Sequence, residues 1–263
     1  MAENRELQDL LAFARQTIEA AGSIALQYFR VPLAVENKAG DRRFDPVTRA
    51  DREIEAYIRD RISAAYPGHA IVGEEAGLRT GRDRYKWFID PIDGTKAYIS
   101  GMPLWGILLG VMEDEVCRFG LMHQPYLQET YIGSVQGAYL CKGASTQTII
   151  TRKTTELPDA ILYCTHPAMF RSVADSGLFQ QVAERCKLMR YGGDCYSYCL
   201  LAHGFIDLVM EAELKPHDIV PLIPIIEAAG GKVTDWQGNS ASNGGKIIAS
   251  ANALLHEQVL KLL

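Results

Sequence analysis

No stretch of this chain is apolar for long enough to span a bilayer. The longest run without a charged residue, Ala97 to Met112, is broken by Gly101, Pro103 and Gly106. It falls short of the roughly 20 apolar residues that a membrane helix needs, so no membrane span is expected. Basic residues are not in excess: 27 Lys and Arg stand against 32 Asp and Glu, for a net charge of −5. A surface that grips nucleic acid or anionic lipid by general basicity is therefore not expected, and a bound phosphate would need a local device such as a metal ion. The six cysteines, spread from Cys117 to Cys199, include no Cys-x-x-Cys pair, and a reducing cytoplasm is the expected compartment. The six histidines show no zinc-type spacing. There is no glycine loop ending in Gly-Lys-Ser/Thr and no Gly-x-Ser-x-Gly elbow, which removes support for nucleoside-triphosphate hydrolysis and for serine esterase chemistry. Glu3, Arg5, Glu6 and Asp9 precede any apolar run, unlike a secretory signal.

What is present is a globular composition. With 48% apolar and 22% charged residues over 263 positions, the chain can form two lobes or one large domain with a real core. Leu7, Leu10, Leu11, Ala14, Ile18, Ala21 and Ala25 recur at helical spacing and predict an amphipathic helix running to Phe29. A charge-rich loop is expected from Asn37 to Pro46. Ile54, Tyr57, Ile58, Ile62 and Ala65 mark one face of a second helix, stopped by Pro67-Gly68. Runs rich in branched and aromatic residues follow, at Ala70 to Gly73, Lys86 to Ile89, Gly106 to Met112, Cys117 to Met122, Thr130 to Ile132 and Ala138 to Cys141. Their short connections predict a largely antiparallel sheet.

The second half alternates. Strands are expected at Ile161 to Cys164, Lys187 to Tyr191, Phe205 to Met210, Lys232 to Thr234 and Ile247 to Ala249. Helices are expected near Val173 to Cys186, Asp194 to His203, up to Ala229, and Ala251 to Leu262. Stacked α/β layers result, divided near Thr151 to Pro158 into lobes of residues 1–150 and 151–263. Pro221 and Pro224 would each remove a hydrogen bond from the helix before Ala229 unless that helix starts late or kinks.

The sharpest local signal is Trp87-Phe88-Ile89-Asp90-Pro91-Ile92-Asp93-Gly94-Thr95. An apolar strand ends at Asp90, Pro91 fixes the turn, and Asp93 lies close enough for both carboxylates to converge. Gly94 lets the backbone approach a ligand, and the N–H groups that begin at Thr95 can receive a phosphate. Two hard anionic ligands beside an anion-binding turn describe a magnesium–phosphate site, although Asp-Pro and Asp-Gly taken singly are ordinary turn pairs. Upstream, Gly73-Glu74-Glu75 places two acids at a strand end, facing either a cation or solvent. Asp51 in Thr48-Arg49-Ala50-Asp51 fits a helix capping box, and Asp218 after Lys215-Pro216-His217 could complement a helix dipole.

Taken together, these motifs resemble the inositol monophosphatase superfamily of magnesium-dependent, lithium-sensitive phosphatases. Gly73-Glu74-Glu75, Asp90-Pro91-Ile92-Asp93-Gly94-Thr95, and Asp218 followed by Glu227-Ala228-Ala229-Gly230-Gly231 carry the resemblance, which covers nearly the whole chain. The segments from Gly94 to Leu104, Gly192-Gly193-Asp194-Cys195-Tyr196 and Leu214 to Asp218 look like its histidinol-phosphate phosphatase branch. The resemblance implies a five-layer α-β-α-β-α sandwich, two to three Mg2+ ions per active site and a homodimer. It implies that Glu74, Asp90 and the Ile92 carbonyl hold one ion and that Asp90, Asp93 and Asp218 hold another. Asp51, Glu74 and Thr95 would serve the attacking water, the N–H groups of Gly94 and Thr95 the phosphoryl oxygens, and Asp194 and Glu211 the organic part of the substrate.

L-histidinol phosphate fits this acidic lining, since its ester carries an ammonium and an imidazole. Inositol monophosphatase and 3'(2'),5'-bisphosphate nucleotidase activities are the sister alternatives. A helix-capping role for Asp194 is also open. A haloacid-dehalogenase mechanism would need an aspartyl nucleophile in Asp-x-Asp-Gly-Thr near the N-terminus, whereas here the acids are spaced Asp-x-x-Asp. A purely binding role is at odds with the full set of candidate metal ligands.

Overall fold

The computed structural model of the chain describes residues 2–32, 34–37 and 46–263. It opens with helix α1 (Ala2–Tyr28), whose 3.6-residue periodicity buries Leu10, Ala14, Ile18, Ala21 and Ala25 along one face. β1 (Val35–Asn37) pairs antiparallel with β2 (Pro46–Thr48). Residues 38–45, the body of the expected charge-rich loop, lie outside the described residues. α2 (Arg49–Ala65) follows directly because Thr48 caps it: its hydroxyl accepts the Ala50 N–H, and Asp51 Oδ2 accepts the Thr48 N–H at 2.8 Å.

β3 (Ala70–Gly73), β4 (Gly77–Arg79) and β5 (Tyr85–Asp93) lead into the short α3 (Thr95–Ile99). β6 (Gly106–Glu113), β7 (Val116–Gln124), β8 (Glu129–Ser134), β9 (Gly137–Lys142) and β10 (Ser145–Thr148) complete an eight-stranded sheet ordered β10-β9-β8-β7-β6-β5-β3-β4. All neighbours are antiparallel except β3 and β5. A five-stranded sheet follows, ordered β12-β11-β13-β15-β14, from β11 (Ile161–Cys164), β12 (Leu188–Tyr191), β13 (Leu208–Leu214), β14 (Lys232–Asp235) and β15 (Gly245–Ser250). Its helices are α4 (Val173–Ala183), α5 (Asp194–Ala202), α6 (Pro216–Ile219), α7 (Leu222–Ala228) and α8 (Ala253–Leu260).

Burial resolves these elements into five layers, α-β-α-β-α. α1 and α2 bury Ile18, Ile54 and Ile58 against Trp87, Ile89 and Leu109 on one face of the large sheet. α5 and α7 occupy the middle layer, with Cys199, Ile225 and Ile226 packed between Leu108 and Tyr131 of the large sheet and Val209, Val233 and Ile247 of the small one. α4 and α8 close the far face around Phe179, Leu208, Ile248 and Leu255. Gly120 and Gly133 admit α7 to the large sheet: a Cβ on either would collide with the backbone of Pro221 or Ile225.

The expected helix ending at Ala229 divides into α6 and α7. Pro221 is the N-cap of α7 and Pro224 sits in its first turn, where a missing N–H breaks no intrahelical bond. The strand expected from Phe205 begins instead at Leu208, because the Phe205 N–H turns back to the Leu200 carbonyl to close α5. It then runs on to Leu214 across a bulge. β1, β2, β4 and β10 were not expected from the sequence: they are short, and β4 and β10 lie at the edges of the large sheet.

Candidate active site

The two carboxylates of the central motif share one side because β5 is bulged where they lie. Asp90 pairs with Leu108 and Asp93 with Gly106, so a step of three residues on β5 matches a step of two on β6. The Ile92 N–H donates to Asp90 Oδ1 at 3.0 Å and fixes the turn after Pro91. Asp218 arrives from α6, which packs on β5, and its Oδ2 accepts the Lys215 N–H at 2.8 Å. One oxygen from each of Asp90, Asp93 and Asp218 lies within 4.8 Å of the others.

Beside them, Glu74 follows β3, and its N–H donates to the Ile89 carbonyl of parallel β5 at 3.2 Å. A residue that the sequence reading passed over holds this end of β3. Glu55, buried on α2, accepts the Glu75 and Ala76 N–H groups at 2.7 and 3.0 Å and pairs with Arg59 at 2.6 Å. The available signal was the Glu55–Arg59 spacing of four, which reads equally well as an exposed helix pair.

The electrostatics of the cluster follow from crowding and partial burial. Burial pushes the Asp90 carboxyl well above its ordinary range, and Glu74, Asp93 and Asp218 add to the shift. Burial likewise raises Asp93 to about 6, with the Cys195 N–H, donating to Asp93 Oδ2 at 2.5 Å, opposing it. Asp218 rises to about 6 by burial, even with the His217 imidazole 3.3 Å away. Asp51 also reaches about 6 by burial: its Oδ2 is held by Thr48, while the buried Oδ1 has no partner among the described residues.

Gly94 adopts φ +84°, the left-handed conformation that glycine tolerates, and this turns the chain into α3 directly after Asp93. The Thr95 hydroxyl donates to the Ile92 carbonyl at 3.0 Å. Asp90, Asp93, Thr95 and Asp218 line a cleft of about 210 Å3, together with Glu213 and Lys215.

The expected recognition residues occupy different settings. Asp194 opens α5 with φ +44°, and its N–H donates to Thr165 Oγ1 at 3.1 Å. Its carboxylate lies against Gly94, where an added Cβ would stand 3.1 Å from Asp194 Cβ and Cγ. Burial, Asp93 and Glu211 hold its carboxyl well above the usual range. Glu211 lies deeper, at 2% exposure, accepting the Thr165 N–H and the Tyr198 hydroxyl at 3.0 Å each. Thr165 thus joins the two acids. Glu213, two residues on, was not singled out in the sequence but lines the cleft.

Comparison with known proteins agrees with this geometry. The profile of the Inositol monophosphatase family matches residues 6–263. The chain is 36% identical to the bifunctional phosphatase IMPL2 of Arabidopsis thaliana, over 98% of this chain and 76% of that protein. It is 31% identical to a histidinol-phosphatase of Chlorobaculum parvum, over 92% of each. An inositol monophosphatase from Zymomonas mobilis superposes with a TM-score of 0.85 at 33% identity, over 97% of both chains. With the fold, the acidic cleft and the family profile in agreement over almost its whole length, this chain belongs to the inositol monophosphatase family and is a phosphatase.

Proposed function

We propose that this phosphatase hydrolyses L-histidinol phosphate to L-histidinol and phosphate, using magnesium and a water nucleophile. The observation that carries the reading is the convergence of Asp90, Asp93 and Asp218, none of which pairs with a lysine or arginine among the described residues. Like charges this close are stable when they share a cation, and an all-oxygen donor set suits magnesium. Glu74, Asp90 and the Ile92 carbonyl would hold one ion, and Asp90, Asp93 and Asp218 a second, with Glu74 also reaching a third. When bound, magnesium neutralises the phosphoryl oxygens, lowers the pKa of a water and stabilises the leaving alkoxide.

The chain's own groups supply the positioning. Gly94 and Thr95 line the cleft, and their N–H groups would receive phosphoryl oxygens. The Thr95 hydroxyl spends its proton on Ile92, which leaves its oxygen to accept a hydrogen bond from the attacking water. Asp51, held through Oδ2, offers Oδ1 as the second acceptor that orients this water. Asp194, against Gly94, would ionise when paired with the cationic alcohol half, and Glu211 fixes it through Thr165. The likeness to the Chlorobaculum parvum histidinol-phosphatase supports this substrate, and the six free thiols suit a reducing cytoplasm.

The test is phosphate release across L-histidinol phosphate, inositol monophosphates and adenosine 3',5'-bisphosphate under saturating magnesium. Histidinol phosphate is expected to give the highest kcat/KM. A higher value for an inositol phosphate or the bisphosphate would replace it with that sister activity.

A further inference from the structure

α5 begins on a backbone that helices and strands ordinarily avoid. Gly193 and Asp194 stand consecutively at positive φ, +119° and +44°. Glycine takes this region freely, whereas a residue with a Cβ does so at a cost and persists there when the surroundings or the function require it. The hydrogen bonds of this turn show what it achieves. The Asp194 N–H donates to Thr165 Oγ1 at 3.1 Å, and the next N–H along, that of Cys195, donates to Asp93 Oδ2 at 2.5 Å. Successive N–H groups are thus turned to two different acceptors, one just after β11 and one at the end of β5. Among the described residues no other backbone N–H reaches the Asp93 carboxylate. The approach of α5 is also provided for on the neighbouring strand. Gly106 pairs with Asp93 in the β5–β6 ladder, and a Cβ on it would stand 3.0 Å from Cys195 Sγ.

We propose that the left-handed Gly193-Asp194 turn is a positioning element for the ion site, aiming the Cys195 N–H at Asp93 and so fixing that carboxylate toward Asp90 and Asp218. The inference rests on the reading of the acidic cluster as a magnesium site. A carboxylate that ligates a metal binds it more tightly when a hydrogen bond already holds its orientation. Asp194 then serves through its backbone, independently of any contact its side chain makes with substrate.

The test is magnesium binding to the chelator-stripped full chain by calorimetry, with Tm recorded for each variant. Asp194→Asn and Asp194→Gly introduce residues that tolerate the left-handed region, so the two should bind magnesium within about twofold of each other. Valine is close to aspartate in shape but β-branched, which excludes it from that region. Asp194→Val should therefore weaken binding about tenfold relative to Asp194→Asn, the scale expected when the group that orients a metal ligand is lost. All three variants remove the carboxylate, so their comparison isolates the backbone. Gly193→Ala should weaken binding similarly with Asp194 in place, because a Cβ there would run into Ser197 Oγ. It decides the matter if Asp194→Val does not fold. A turn that is merely structural would lower Tm in Asp194→Val and leave its magnesium Kd equal to that of Asp194→Asn, and this result would overturn the proposal. A Kd raised equally in Asp194→Gly and Asp194→Val would also overturn it, tracing the effect to the lost side chain. Absence of magnesium binding by the unmodified chain would overturn the reading of the cluster itself, and this proposal with it.

Discussion

Two groups of carboxylates in this molecule, one buried and one lining the cleft, are treated in opposite ways. Glu55, Glu113 and Asp207 are each at most 2% exposed, and each meets arginine: Arg59 for Glu55, Arg84 and Arg118 for Glu113, Arg152 for Asp207. Backbone N–H groups complete the set for Glu55 and Asp207. Asp90, Asp93 and Asp218 meet one another instead, and their carboxyls are pushed upward by burial and mutual repulsion. The fold thus neutralises the acids that support its architecture with its own cations and leaves the cleft acids for a cation from outside. The same substitution chemistry should therefore have contrary effects in the two groups.

The largest effect belongs to the cleft. Asp93→Asn and Asp218→Asn should each lower turnover on the order of a thousandfold, about 4 kcal/mol, with the fold intact by circular dichroism. Glu74→Gln should be worse, since it would disturb both an ion site and the surroundings of the water. A Glu74→Gln variant milder than Asp218→Asn would reverse those roles. In the supporting group the loss should appear in stability. Glu55→Ala leaves Arg59 and two N–H groups without their acceptor and should cost about 3 kcal/mol in denaturant unfolding. If Asp218→Asn destabilised the metal-free protein as much as Glu55→Ala, the division between the groups would fail.

A smaller effect is set by pH. Asp93 and Asp218 have folded pKa values of about 6, above the usual 3.8, so without metal their contribution to stability is full below that ordinary value and is lost as pH rises through 6. Magnesium cancels the repulsion, so the stabilisation it confers should be greater at pH 8 than at pH 5, by about 2 kcal/mol. His123 and His256, depressed by burial to about 4, act with the opposite sign: their stability is present above 6.5 and is lost as pH falls through 4. They are common to both metal states and drop out of the difference. A thermal shift with magnesium that does not depend on pH would count against the crowded cluster. The smallest effect is Asp194→Asn, which should reduce kcat/KM for histidinol phosphate about tenfold and that for glycerol phosphate much less. Asparagine tolerates the left-handed backbone at this position. Equal losses on both esters would make Asp194 a helix-terminus residue alone.

The cluster was legible where its members are close in sequence. Asp90 and Asp93 announce themselves because a proline between them forces the bulge that aligns them. For Asp51 the capping-box reading holds through one oxygen, and the other oxygen, without a partner among the described residues, is the one the proposed water role would use. Glu55 was not legible as a support for Glu74, because the N–H groups it accepts come from residues about twenty positions on, which only the packing of α2 on β5 brings near. Glu213 was hidden for a different reason. A bulge with a non-glycine residue at positive φ breaks the two-residue alternation by which a strand is read. The helix around Pro221 and Pro224 shows the converse, for the late start that two prolines demand is the start of α7.

The most direct measurement is phosphate release from L-histidinol phosphate by chelator-stripped protein as magnesium is titrated back. The cluster of Asp90, Asp93 and Asp218 predicts no turnover above background without the ion, saturable recovery with it, and little recovery in Asp218→Asn at the concentration that saturates the unmodified chain. Turnover by the stripped protein at the magnesium-loaded rate, or full recovery of Asp218→Asn at that same concentration, would contradict the account.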